Sequence, residues 1–196
     1  NDRYGFNNLD SLYEENIQIV LIGDSFGTGV GVNYENSIVG NLNKLNINTI
    51  TFAKEGNSSL IQYGKLKEYV KNIRPEVVIW QYFSNDLGDL SYELESPLLK
   101  KYITDKNFSQ NLISMQSEID QVLKEYEQKY VLENLYFIRI LKITNIRHKI
   151  RNLFQSRKNI VTNEFGYFNY NNDQVTNINL EMIEKILKRA DKMVSS

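Results

Sequence analysis

Apolar and polar positions along this chain change period at regular intervals, and each change predicts an element. Residues 1–16 are polar and turn-rich, a lead-in loop. Ile17 to Ile22 is a near-continuous apolar run, the pattern of a strand buried on both faces of a parallel sheet. Ser37 to Leu45 sets Ile38, Val39, Leu42 and Leu45 on one side of a short helix. Ile47 to Phe52 reads as a second strand. Ser58 and Ser59 are cap residues for a helix to about Ile73, with Leu60, Tyr63, Leu66 and Val70 on its apolar face. Pro75 closes that helix, and Val77 to Tyr82 reads as a third buried strand.

The first 85 residues therefore read β-α-β-α-β, which predicts an α/β fold with a parallel sheet and right-handed crossovers. After Leu90 the strand pattern gives way to helical periods. Leu112, Met115, Ile119, Val122 and Tyr126 predict an amphipathic helix over 110–130, and 131–155 reads as a second helix. Residues 156–176 read as an Asn- and Tyr-rich loop. Residues 178–195 read as a final helix with Leu180, Ile183, Ile186, Leu187 and Ala190 inward. The expected organisation is one domain, 1–196, with a helical insertion or lid over 95–176.

Composition narrows the function classes. The net charge is −1, so nothing suggests nucleic-acid binding, and the absence of cysteine excludes disulfides, thiolate metal sites and cysteine nucleophiles. No run of about 18 apolar residues is present. The first residue is Asn1 rather than methionine, so a fragment or processed form is expected, which leaves room for an upstream anchor. The Asn- and Ile-rich, Pro-poor composition suggests an AT-rich bacterial genome. No metal-ligand spacing and no cofactor motif is visible. Gly-Asp-Ser-Phe-Gly-Thr-Gly, 23–29, lacks the Gly-Lys-Ser/Thr end of a phosphate-binding loop, which ranks a nucleotide binder low.

Ligands of parallel sheets sit beyond the carboxyl ends of the strands, so three turns matter. The first carries Asp24 and Ser25, followed by Gly27 and Gly29. Ser25 is either a nucleophile or an N-cap hydroxyl. The second turn carries Gly56, which either presents its N–H to a substrate oxygen or is an ordinary turn glycine. The third carries Asn85 and Asp86, either an amide donor with its support or a common turn pair. Taken together, a hydroxyl, a backbone donor and an amide donor at adjacent strand ends form the layout of an oxyanion hole.

On Gly23-Asp24-Ser25 with Gly29, on Gly56 and on Asn85-Asp86, the chain resembles the SGNH, or GDSL, hydrolase superfamily. The later text over 86–113 and the opening Asp2–Asn8 are similar to a subfamily associated with bacterial cell-surface polysaccharide loci. The resemblance covers residues 2–128 and is diffuse beyond. It implies a flavodoxin-like, three-layer α/β/α fold and an acyl-enzyme mechanism. Ser25 would be the nucleophile, the Ser25 and Gly56 N–H groups and the Asn85 amide the oxyanion donors, and Asp24 and Asp86 supporting residues. It implies an esterase or acyltransferase acting on O-acyl groups of a carbohydrate in the cell envelope. One departure stands out: the third block's glycine position is Phe83.

The family's Asp-x-x-His is not matched. The single histidine, His148, has Asn145 three residues before it. Two explanations are expected to compete: strands and base lying beyond Ser196, or a degenerate SGNH-like domain that binds glycan or protein partners without catalysis. Finally, Asn134–Asn163 contains no acidic residue, and its 139–158 portion interleaves Arg and Lys with apolar residues. Such a segment lies on an anionic membrane surface, or is a lid helix with solvated charges.

Overall fold

The computed structural model describes residues 1–140 and 173–194. Three short strands, β1 (Ile19–Ile22), β2 (Thr49–Thr51) and β3 (Val77–Trp80), form one parallel sheet in the order β2-β1-β3. Ile19 is in register with both Thr49 and Val77. The mixed α/β fold expected from the alternating periods is therefore present, with strands two or three residues shorter than the apolar runs.

The order has a geometric consequence. The chain steps one way from β1 to β2 and the opposite way from β2 to β3. Both crossovers being right-handed requires their helices to lie on opposite faces. Helix α1 (Ser25–Thr28) and helix α2 (Ile38–Lys44) belong to the first crossover. The second runs through α3 (Ser59–Lys65), a π-helical turn (Leu66–Val70) and α4 (Lys71–Ile73). Arg74 in the left-handed region (φ 52°) and Pro75 end it.

Strand alternation divides the sheet residues accordingly. Val20, Ile22, Ile50 and Phe52 join Leu60, Tyr63, Leu66, Tyr69 and Val70 in the main core. Leu90 of α5 (Asp86–Glu93), Tyr102 and Ile103 of α6 (Pro97–Thr104), and Ile186 and Ala190 complete it. The segment 95–176 expected as an insertion thus includes α6, which is buried in this core. The other face carries Leu21, Thr49 and Thr51, buried with Val39 of α2.

β3 departs from the expected buried strand. Val78 and Trp80 pack against the core, while Val77 and Ile79 are exposed. The reason is coverage: α2 packs against β2, and among the described residues no helix covers the β3 end of that face. β2, by contrast, is sealed along its outer edge by two asparagine amides. Asn43 donates to the Thr49 carbonyl at 2.8 Å and accepts from its N–H at 2.9 Å. Asn8 does the same for Thr51, at 2.9 and 2.8 Å. The lead-in segment is therefore a structural clamp. Asp2 holds it together, accepting from the Tyr4 and Phe6 N–H groups, Asn8 and Tyr13.

Other expectations shift by register. Ile38 and Leu45 point outward, since α2 turns only Val39 and Gly40 fully inward. The last helix, α8 (Asp173–Val194), buries Asn179, Ile186 and Ala190, whereas Leu180 and Leu187 are about half exposed. Its inward stripe is fixed by Asn179, whose amide donates to the Leu87 carbonyl and Ser91 Oγ of α5.

A second compact unit begins at Ser114, and residues 114–140 of it are described. Within it, α7 runs from Gln116 to Ile140, beginning after Leu112 and Met115 and continuing past the expected end at 130. Val122 and Tyr126, expected on a covered face, are exposed. His148, residues 141–158 of the basic segment and the loop to residue 172 lie outside the described residues. No described helix is long and apolar enough to cross a membrane.

Candidate functional site

The site is built where the sheet order reverses. β1 is followed in the chain by β2 on one side and has β3 on the other, so the crevice at the carboxyl ends of β1 and β3 is a topological switch point. Ser25 leaves β1 on one side of this crevice, and Asn85 follows β3 on the other.

Ser25 is the first residue of α1 and is half-buried. Asp24 is its N-cap, and its Oδ1 accepts the Phe26 N–H at 3.0 Å. The N-cap function offered for Ser25 therefore belongs to its neighbour. Among the described residues, no hydrogen bond engages Ser25 Oγ. Gly27 makes the turn possible, because a Cβ there would lie 2.6 Å from the Ala53 Cβ and 3.0 Å from Gln81 Oε1. The first turn is thus pressed against the residues that follow β2 and β3.

Gly56 occupies a turn closed by the Asn57 N–H on the Lys54 carbonyl at 3.3 Å. Its φ of 69° is the left-handed conformation that the third residue of such a turn requires of a glycine. Added methyl carbon at Gly56 would meet nothing within 4 Å, so open space lies beside it. An open cleft of about 370 Å³ adjoins it, lined by Gly56, Ile61, Asp89, Tyr92, Glu93 and Leu99.

Asn85 precedes α5, and its Nδ2 donates to Asp89 Oδ2 at 2.9 Å. Its second amide hydrogen is not taken by that bond. Its Oδ1 is buried without a partner among the described residues. Asp86 is fully buried, with Oδ2 accepting the Phe83 N–H at 2.8 Å. Burial pushes the Asp86 carboxyl up to about 6, against that N–H, and the charges of Asp24 and Asp89 push in the same direction.

The three turns are laced to one another. The Lys54 N–H donates to the Gly23 carbonyl at 3.2 Å. Ser58 Oγ donates to the Asp86 carbonyl at 2.5 Å. The rings of Phe26 and Phe83 lie 5.0 Å apart, joining the first turn to the third. The residue standing at the expected glycine position thus serves as a packing partner.

Two residues that the sequence reasoning passed over organise the lacing. Gln62, fully buried on α3, accepts from Trp80 Nε1 and donates to the Asn57 carbonyl at 2.8 Å. Glu93, buried on α5, accepts from the N–H groups of Ser58, Leu60 and Ile61 at 2.6, 2.8 and 3.2 Å. Ser58 was expected to cap α3 with its side chain; Glu93 does so instead, freeing the serine hydroxyl for Asp86. A polar residue on the inward stripe of each helix was the available signal.

Among the described residues no group of His, Asp or Glu could hold a metal ion. No protein-family model, curated protein or solved structure matches this chain.

Proposed function

We propose that this chain is a serine-dependent esterase or acyltransferase of the SGNH type, acting on O-acyl groups of a carbohydrate. Ser25 Oγ attacks the ester carbonyl. The Ser25 and Gly56 N–H groups and the free amide hydrogen of Asn85 receive the negative charge that develops on the carbonyl oxygen. The alcohol leaves, and water or a second hydroxyl takes the acyl group from the serine. Asp24 and Asp86 support the turns that carry these groups. The activating base lies outside the described residues.

The observation that supports this reading is that the turns after three adjacent parallel strands are tied to one another, through the Lys54 N–H, the Ser58 hydroxyl and the Phe26–Phe83 pair. The strand order is also the first part of the flavodoxin-like order. The test is release of acetate from an O-acetylated polysaccharide by the full protein its gene encodes. Activity lost in Ser25→Ala and reduced on the order of 100-fold in Asn85→Ala supports the reading. Saccharide binding without any Ser25-dependent release supports a non-catalytic glycan-binding domain instead.

A further inference from the structure

Glu93 closes α5, the helix that Asn85 and Asp86 open, and both oxygens of its carboxylate are engaged. Oε1 takes the Ser58 N–H, and Oε2 takes those of Leu60 and Ile61. Helices ordinarily satisfy these first amides with a short side chain at the N-cap itself. Here the acceptor comes from a different helix and is a carboxyl group, whose ionised form makes shorter and stronger bonds than a serine cap provides. The partner it binds most closely, Ser58, is two residues after Gly56.

The next bonds along the chain complete the restraint. The carbonyl of Asn57 is held by Gln62, and the hydroxyl of Ser58 by the Asp86 carbonyl. Three successive anchors follow Gly56, while the turn itself is held by longer bonds: Asn57 N–H to the Lys54 carbonyl at 3.3 Å, Asn57 Nδ2 to the Glu55 carbonyl at 3.5 Å and Lys54 N–H to the Gly23 carbonyl at 3.2 Å. A glycine turn has wide conformational freedom of its own. The shortest restraints on this turn lie on its 57–58 side.

We infer that Glu93 is a positioning residue for the Gly56 N–H: by gripping the start of α3 it fixes the turn that aims this donor into the crevice. The inference rests on the reading of Gly56 as an oxyanion donor. Burial pushes the Glu93 carboxyl up to about 7, the three amides opposing that rise. The group is held at a cost to its ionisation, as expected where placement of the carboxylate matters.

The experiment measures the rate of fluorophosphonate addition to Ser25, by intact mass, on the full protein its gene encodes. Phosphonylation places negative charge on the same oxygen position as acyl transfer. Glu93→Gln puts an NH₂ group against amide donors and is expected to slow addition at least 10-fold. Ser96→Ala is the control. It removes the cap of α6, where Ser96 Oγ accepts the Leu99 N–H at 3.3 Å, and is expected to lower Tm without slowing addition. Glu93→Asp keeps the charge, draws it back by one methylene, and carries the same test if Glu93→Gln does not fold.

Addition to folded Glu93→Gln at the unmutated rate overturns the inference and leaves Ser25 as nucleophile. Equal slowing by Ser96→Ala and Glu93→Gln also overturns it, by reducing Glu93 to a stabilising cap. No Ser25-dependent adduct on the unmutated protein overturns the functional reading itself, and the inference falls with it.

Discussion

The ring of Phe83 lies 5.0 Å from that of Phe26, at a tilt of 47°, and bridges the turn that carries Ser25 to the turn that carries Asn85. Phe26 is 53% exposed, so this bridge lies at the surface rather than in the core. Tilted aromatic pairs contribute about 0.5–1.5 kcal/mol beyond the area they bury. A double-mutant cycle of Phe26→Ala and Phe83→Ala, read by urea unfolding, is expected to give a coupling energy of about 1 kcal/mol. Strict additivity would mean that the two turns are held together by their backbone bonds alone.

The asparagine brackets on β2 make a stronger demand. Asn8 is buried and serves both the N–H and the carbonyl of Thr51, which is itself buried. Asn8→Ala leaves those two groups and the Asp2 carboxylate short of partners. Each unmade buried bond costs about 1–3 kcal/mol, so a loss of about 3 kcal/mol is expected by chemical denaturation. A loss under about 1 kcal/mol would mean that the N-terminal clamp is dispensable.

Stability should fall as pH rises from about 4.5 to 7. The folded-state pKa values of Glu93, about 7, and Asp86, about 6, lie above the ordinary values of 4.5 and 3.8. In that window the folded state binds more protons than the unfolded chain, so their contribution is present at low pH and lost as pH rises through the folded values. Glu68 works in the other direction: four hydrogen bonds from Tyr102, Ser109, Gln110 and Leu112 outweigh its burial and lower its pKa, so its contribution is lost only in acid. Glu93→Gln should flatten the decline between pH 4.5 and 7, by on the order of 2 kcal/mol. An unchanged slope in thermal unfolding across that range would place the proton uptake elsewhere.

The exposed side of β3 predicts self-association. Val77 and Ile79 are 47% and 38% exposed on one face of a strand with no bracket like those on β2 among the described residues. Apolar edge strands of this kind template further pairing. Val77→Lys and Ile79→Lys together should reduce concentration-dependent association in sedimentation velocity. Association unaffected by both changes would locate the contact on another surface.

The order of strands and helices was legible because burial dictates period. Leu60, Tyr63, Leu66 and Val70 all reached the core as their spacing required. The three turns were legible because glycine and Asx residues mark strand ends. What escaped was carried by polar side chains working at a distance. Asn8 and Asn43 imitate a neighbouring strand, Glu93 caps a helix it does not belong to, and Asn179 selects which stripe of α8 faces inward. Periodicity gave Leu180 and Leu187 equal standing with Ile186, and the hydrogen bonds of Asn179 to α5 and of Arg189 to the Ile103 carbonyl mark the inward face. Phe83 was legible as a departure, but its partner Phe26 is distant in sequence and adjacent only across the crevice.

We propose Ser25 as a nucleophile served by the groups of the other two turns. Intact-mass detection of a fluorophosphonate adduct tests it most directly, on the 196-residue chain and on the full protein its gene encodes, each beside Ser25→Ala. The account predicts a single adduct on the full protein that disappears in Ser25→Ala. An absence of any Ser25-dependent adduct on either folded protein would contradict it and make the crevice a binding site without acyl-transfer chemistry.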